Sequence, residues 1–270
     1  MTSGSALPQG LHFVANSPVE GLSLAERRVS DPLATLICIH GGLDRGGSFA
    51  RLARRSDRFD LLAYDRRGYQ GSRSLTPVDF EHHVEDLVAI SDHENARNPV
   101  LYFGHSFGGT VAWAAASRRP ELVKLAIAYE SPLPWVLRRE SSRPQLSSDP
   151  SYEAEVFFRR MVSNSAWERL SERERESRRL DGPALLSDLS VLRNGARPFE
   201  LGDLQVPALY LHGDQHYLEY NRELGRLLTS ANPLIRSQEL ANAGHGAHLS
   251  NPDQIARAIY DAWERVCTSA

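Results

Sequence analysis

A serine between two glycines is the pattern with the most specific chemistry in this chain. The segment Gly104-His-Ser-Phe-Gly108 places Ser106 in a Gly-x-Ser-x-Gly motif. The apolar run Val100–Phe103 before it predicts a buried strand, and Thr110–Ala116 after it is rich in helix formers. This context predicts a tight turn that lifts the hydroxyl out of a sheet, facing the N-terminus of a helix. We therefore predict that Ser106 is a nucleophile.

A serine hydroxyl is a weak nucleophile near neutral pH and needs a base. His245 lies in a loop directly after the last predicted strand, at the sheet edge where the serine turn also lies. We expect His245 to be that base, and His248 to line the pocket or cap a helix. The other histidines that we considered are given no role in proton transfer: His40 and His105 are expected to make structural hydrogen bonds, and His82, His83 and His93 are expected at the surface.

Two carboxylates follow predicted strands and could orient the imidazole and stabilise its cation. Glu130 follows the strand within Leu122–Tyr129, and Asp214 follows the strand within Val206–Leu211. Acyl transfer also needs donors for an oxyanion. The amide of Phe107, directly after the serine, is one, and the loop His40-Gly-Gly-Leu43 is expected to supply the other from Gly42.

Strands that alternate with helices predict a mostly parallel sheet covered on both faces. The predicted strands are Leu11–Val14, Leu22–Val29, Pro32–Ile39, Phe59–Tyr64, Val100–Phe103, Leu122–Tyr129, Val206–Leu211 and Ile235–Leu240. The predicted helices are Ser48–Ala53, Asp79–Ser91, one after Ser106, Glu153–Met161, Ala166–Arg179, Tyr217–Thr229 and one that begins at Asn251-Pro-Asp253. The alternation stops between residues 131 and 203, which reads as a helical insertion with a flexible loop at Ser141–Ser151.

The bulk composition bounds the function classes. The chain has 270 residues, 41% of them hydrophobic, with a formal net charge of -3, which predicts a globular protein without a nucleic-acid or membrane partner. We see no signal peptide and only two cysteines, so we expect a cytoplasmic protein. No Cys-x-x-Cys pair or phosphate-binding glycine motif is present, so we expect neither a metal nor a cofactor. The oligomeric state stays open.

These motifs, from His40-Gly41 through Gly104–Gly108 to Gly244-His245, resemble the α/β-hydrolase superfamily over nearly the whole chain. The resemblance implies an α/β-hydrolase fold, with an eight-stranded, mostly parallel sheet flanked by helices. It divides the chain into a core of residues 1–131 and 204–270 and a helical lid of residues 132–203.

The resemblance also bears on the acid. In the common pattern the acid follows the seventh strand, where this chain has His216, with Asp214 two residues early. Glu130 is similar in position to the acid of haloalkane dehalogenases and zearalenone lactonases. We therefore favour the triad Ser106–Glu130–His245 and keep Asp214 as the alternative.

A serine nucleophile implies an acyl-enzyme, so the resemblance implies hydrolysis of a carboxylic ester or lactone of a small molecule. Amide, thioester or carbon–carbon hydrolysis, a haloperoxidase side activity, and a non-catalytic receptor of this fold are the alternatives. The lid is expected to set substrate choice, and its marginal charge pattern suggests that it moves. The predicted pocket residues are Leu43, Trp135, Phe158, Met161 and His216.

Overall fold

A computed structural model describes residues 10–139 and 145–269 of the chain, and these form one eight-stranded sheet. The strands are β1 His12–Phe13, β2 Leu24–Arg27, β3 Ala34–Ile39, β4 Phe59–Tyr64, β5 Val100–His105, β6 Leu125–Tyr129, β7 Ala208–Gly213 and β8 Ile235–Leu240. Their order is β1-β2-β4-β3-β5-β6-β7-β8. The pairs β1–β2 and β2–β4 are antiparallel, and every other pair of neighbouring strands is parallel. The predicted mostly parallel sheet is confirmed.

Helices cover both faces of the sheet, and the central strands are therefore buried on both sides. The helices are α1 Ala50–Ala53, α2 Phe80–Asn95, α3 Phe107–Arg118, α4 Pro150–Met161, α5 Asn164–Arg169, α6 Glu172–Leu180, α7 Gly182–Arg193, α8 Leu218–Ala231, α9 Ala247–Ser250 and α10 Pro252–Ser269. Side chains of α2, α3 and α8 pack in one apolar cluster with the sheet, and those of α1 and α10 pack in the other.

The four helices α4 to α7 lie between β6 and β7, where the sequence predicts an insertion. They have a small apolar cluster of their own, which includes Phe158, Trp167 and Leu185. The single helix predicted over Ala166–Arg179 is wrong, since α5 ends at Arg169 and α6 begins at Glu172. Leu170 is extended and ends the first helix, and Ser171 starts the second, because it caps α6 in a capping box with Glu174.

The predicted loop over Ser141–Ser151 falls partly outside the described residues, and its last part is wrong. Helix α4 already begins at Pro150, because the Asp149 carboxylate accepts hydrogen bonds from the amides of Ser151 and Tyr152. Among the described residues, no helix combines the length and the apolar character that a membrane span requires.

Candidate active site

The turn that carries Ser106 joins β5, the central strand, to α3. Ser106 has φ 53° and ψ −127°, a conformation that non-glycine residues rarely adopt. A Cβ at Gly104 would lie 2.3 Å from Cα of Gly109, and one at Gly108 would lie 2.2 Å from the carbonyl oxygen of Ile39. The turn therefore requires glycine at both positions, as the motif predicts, and it brings Ser106 to the wall of a large cavity.

His245 and Glu130 are in direct contact although 115 residues separate them in the chain. Nδ1 of His245 donates to Oε2 of Glu130 at 2.7 Å, and the carboxylate is almost fully buried. The other carboxylate oxygen, Oε1, accepts from the amide of Gly213 at 3.0 Å. This pair fixes the tautomer in which Nε2 of His245 carries a lone pair.

Ser106 and His245 line the same cavity. No hydrogen bond joins the Ser106 hydroxyl to the imidazole among the described residues, where His245 contacts Glu130 and His105 instead. Catalytic hydrogen bonds are often long without substrate and shorten in the Michaelis complex.

Asp214 has a different role in this structure. Its Oδ1 accepts from the amide of Ala243 at 3.2 Å, and the amide of Gln215 donates to the Ala243 carbonyl at 3.1 Å. These contacts hold the loop that precedes His245. The structure therefore brings Glu130, and not Asp214, to the imidazole.

The two predicted oxyanion donors lie beside the serine. Gly42 and Phe107 both line the cavity that contains Ser106, and neither amide donates to an acceptor among the described residues. Phe107 is the first residue of α3, so its amide has no acceptor within the helix. Two free amides next to a nucleophile can bind a developing oxyanion.

A buried arginine fixes the glycine loop that carries Gly42. Arg66 donates from Nε to the carbonyl of His40 and from its backbone amide to Nε2 of His40, both at 2.9 Å. Nδ1 of His40 lies 2.7 Å from the carbonyl of Gly41. Burial and the charge of Arg66 lower the pKa of His40 to about 3, so this imidazole is neutral. His40 thus makes the structural hydrogen bonds expected of it.

The guanidinium of Arg66 also connects the core to the insertion. It donates to both carboxylate oxygens of Asp188 in α7, at 2.6 and 3.1 Å, and Tyr69 donates to the same carboxylate at 2.6 Å. His83 contacts this pair and is 1% exposed, so its predicted surface position is wrong. The polar sequence around His83 gave no sign of a buried partner in another element.

Three imidazoles lie side by side at this edge of the sheet. Nε2 of His105 donates to the carbonyl of His245 at 2.9 Å, and its ring centroid lies 4.3 Å from that of His248. Burial and the two neighbouring histidines hold the pKa of His105 well below 6.5. Nε2 of His248 lies 3.4 Å from the carboxylate of Asp44. His105 therefore holds the loop of the candidate base, which is a structural role as expected.

Two adjoining cavities, of about 760 and 510 Å³, meet at Ser106 and His245. Of the predicted pocket residues, Met161 lines both, and Leu43, Phe158 and His216 line the smaller one. Trp135 lines neither, because its ring packs edge-on against Phe199. The sequence missed several lining residues, whose only signal was their place in or near the insertion: Leu185, Leu189, Arg139 and Tyr217.

Backbone strain is concentrated around the same cavities. Among the described residues, seven non-glycine residues have positive φ, and four of them line these cavities: Leu43, Ser106, Glu130 and Tyr217. Such conformations persist where the surrounding structure imposes them, as at active sites.

Comparison with known proteins identifies the family of this chain. The model of the alpha/beta hydrolase family matches residues 36–258, so the chain belongs to that family and is a hydrolase. The pimeloyl-[acyl-carrier protein] methyl ester esterase of Yersinia pseudotuberculosis is 26% identical over 240 residues, which cover 83% of this chain and 91% of that protein. A lipase of Mycobacterium tuberculosis is 34% identical over 97 residues, covering 36% of this chain and 37% of the lipase.

Solved structures share the fold at low sequence identity. A carboxylesterase from Bacillus subtilis superposes with a TM-score of 0.68 at 17% identity, over 94% of this chain and 90% of that one. The thioesterase domain from the curacin biosynthetic pathway superposes with a TM-score of 0.62 at 19% identity, over 95% of this chain and all of that one.

Proposed function

We propose that this protein is a serine hydrolase that cleaves a carboxylic ester through an acyl-enzyme, with Ser106, His245 and Glu130 as its triad. The observation that carries the proposal is the 2.7 Å hydrogen bond between Nδ1 of His245 and Glu130, in a cavity that Ser106 also lines. The similarity to a methyl ester esterase over 83% of this chain supports an ester as the substrate.

The chemistry follows from this arrangement. Oγ of Ser106 attacks the ester carbonyl carbon while Nε2 of His245 takes the hydroxyl proton. The amides of Gly42 and Phe107 bind the oxyanion, and Glu130 stabilises the imidazolium. The intermediate then breaks its bond to the alkoxide, which leaves as the alcohol with the proton from His245. Water attacks the acyl-enzyme by the same route and releases the carboxylic acid and free Ser106.

The walls of the larger cavity favour an apolar acyl group. The lining side chains from the insertion are mostly apolar: Phe157, Met161, Leu185, Leu189 and Leu192. We include in the proposal that residues 132–203 act as a lid, since α4 and α7 supply these side chains above the serine.

An active-site phosphonate probe tests the nucleophile. The probe should add once to the wild-type chain, at Ser106, and should not add to the Ser106→Ala variant. Ser131 lines the same cavity and is buried, so Ser131→Ala is the matched control and should still be labelled. Label on another residue, or none, would contradict the assignment of Ser106.

A substrate panel tests the reaction. Methyl and p-nitrophenyl esters of rising acyl length, with lactones beside them, should give turnover that Ser106→Ala abolishes. Lactone turnover without ester turnover would replace the ester by a lactone on the same triad. Tight ligand binding without label or turnover would identify a receptor instead.

A further inference from the structure

A second cluster of side chains with metal-binding chemistry lies behind the candidate base. Asp44 comes from the loop after β3, His105 from the end of β5 and His248 from α9. One atom from each, two imidazole nitrogens and a carboxylate oxygen, lies within 4.8 Å of the other two. Oδ2 of Asp44 is 3.4 Å from Nε2 of His248 and 4.0 Å from Nδ1 of His105.

The hydrogen bonds of His105 fix which of its nitrogens is free. Its Nε2 faces the carbonyl oxygen of His245 at 2.9 Å, and a carbonyl can only accept, so Nε2 carries the hydrogen. Nδ1 therefore bears a lone pair. This lone pair and the carboxylate of Asp44 are both acceptors, yet they face each other at 4.0 Å.

The free nitrogens in this cluster are buried. His105 is 7% exposed and His248 is 1% exposed. Nδ1 of His105 and both ring nitrogens of His248 have no hydrogen-bond partner among the described residues. A buried polar atom without a partner is destabilising, so native structures rarely leave several together. A cation between the three side chains would satisfy Nδ1 of His105, Nε2 of His248 and the carboxylate at once.

The dimensions and donor types fit a transition metal. Zinc binds imidazole nitrogen and carboxylate oxygen at about 2.0–2.2 Å, which in a tetrahedron separates the ligand atoms by about 3.4 Å. The two separations from Asp44 are 3.4 and 4.0 Å, and the third, between the two imidazole nitrogens, is within 4.8 Å, so the side chains have to move inward to close around a metal ion. Two nitrogens and one oxygen suit Zn²⁺ better than Mg²⁺ or Ca²⁺, which prefer oxygen alone.

The cluster also has an entry path and few competing contacts. All three residues line the cavity of about 510 Å³, which leaves room for a water as fourth ligand. The hydroxyl of Ser48 lies 3.0 Å from Oδ2 of Asp44. The nearby guanidinium of Arg178 donates to the carbonyl of Leu43, with no direct ion pair to Asp44 among the described contacts.

We propose that Asp44, His105 and His248 form a binding site for one divalent transition-metal ion, for which Zn²⁺ is the probe. The site is separate from the triad, whose histidine uses Glu130. It is coupled to the triad through His105, which holds the carbonyl of His245. Zn²⁺ binding should therefore change kcat as well as stability.

Calorimetric titration of the chelator-treated full-length chain with ZnCl₂ tests the site. We expect one ion per chain, and Asp44→Asn and His248→Gln should each weaken its binding by about 100-fold, as loss of a ligand or its support does. The control is His82→Gln, because His82 and Asp79 form a partly exposed pair that is the obvious adventitious site. This control should bind as the wild type does.

A measurement on the wild-type chain covers the case in which the variants fail to fold. Co²⁺ in place of Zn²⁺ should give the visible absorption of a tetrahedral nitrogen–oxygen site, and Zn²⁺ should raise the Tm. Absence of both, or binding that Asp44→Asn and His248→Gln leave intact, would overturn the proposal. Ser106→Ala should still bind Zn²⁺, so the metal site and the hydrolase proposal can fail independently.

Discussion

The sheet core and the helical insertion are stabilised by different interactions. Every residue of β3, β4, β5 and β7 is buried, whereas α6 buries none of its residues. The insertion depends more on charges: Arg179 of α6 contacts Glu155 of α4, and Arg159 of α4 contacts Glu168 of α5. The core thus positions the candidate catalytic side chains, and the insertion supplies much of the cavity wall around them.

The two regions are joined where charge is buried. Arg66 contacts Asp188 of α7 with both groups almost fully buried, and Arg73 contacts Asp181 just before α7. Burial alone would raise the pKa of Asp188, but the charge of Arg66 and hydrogen bonds from His83 and Arg66 outweigh it and hold the pKa well below its usual range. This comparison predicts that variants in the core, at the junction and in the insertion have successively smaller effects.

The largest effect should come from the carboxylate in the core. Glu130→Gln should lower kcat about 10⁴-fold, because the amide cannot stabilise the imidazolium and favours the wrong tautomer. Asp214→Asn is the matched control and should stay within about threefold of wild type. Steady-state kinetics on one ester compare the two, and a collapse of kcat in Asp214→Asn alone would show that Asp214 is the acid.

The next effect concerns the junction. Asp188→Ala leaves the guanidinium of Arg66 buried without its carboxylate, so the free energy of unfolding should fall by about 3–5 kcal/mol at pH 7. Glu172→Ala removes exposed pairs with Arg175 and Arg179 and should cost less than about 1 kcal/mol. Urea unfolding measures both, and equal losses would remove the distinction between junction and surface charges.

The pH dependence sharpens this test. Because the pKa of Asp188 is lowered in the folded state, its stabilisation is complete above the unfolded pKa of about 4 and is lost as the pH falls below it. The difference between wild type and Asp188→Ala should therefore shrink in acid. The double variant Arg66→Met/Asp188→Leu should be more stable than Asp188→Ala, since it leaves no unpaired charge.

The smallest effect should come from the cavity wall in the insertion. Phe157 lines both cavities, and Phe157→Ala should lower kcat/KM about 10-fold for a long acyl ester while an acetate ester reacts as before. Tyr152 lies in the same helix and is 57% exposed, so Tyr152→Ala is the control. An equal loss for both esters would mean that Phe157 supports the fold rather than the choice of substrate.

Charge pairing in the insertion shows a limit of local sequence patterns. Within α6, Glu172 and Glu176 are four residues apart, a spacing that makes two like charges unfavourable. In the structure Arg179 contacts both of these glutamates and also reaches Glu155 in another helix. Whether the insertion moves as a lid stays a prediction, which hydrogen exchange over residues 145–179 would test.

The sequence by itself determined the features that depend on neighbours in the chain. The glycines around Ser106, the alternation of strands and helices and the position of the insertion are local patterns, because steric limits and burial act over a few residues. Only the tertiary structure placed Glu130, and not Asp214, against the imidazole of His245. It also buried His83 beside Asp188 and brought Asp44 close to His105 and His248. These contacts join distant parts of the chain, and their distances depend on how the strands and helices pack.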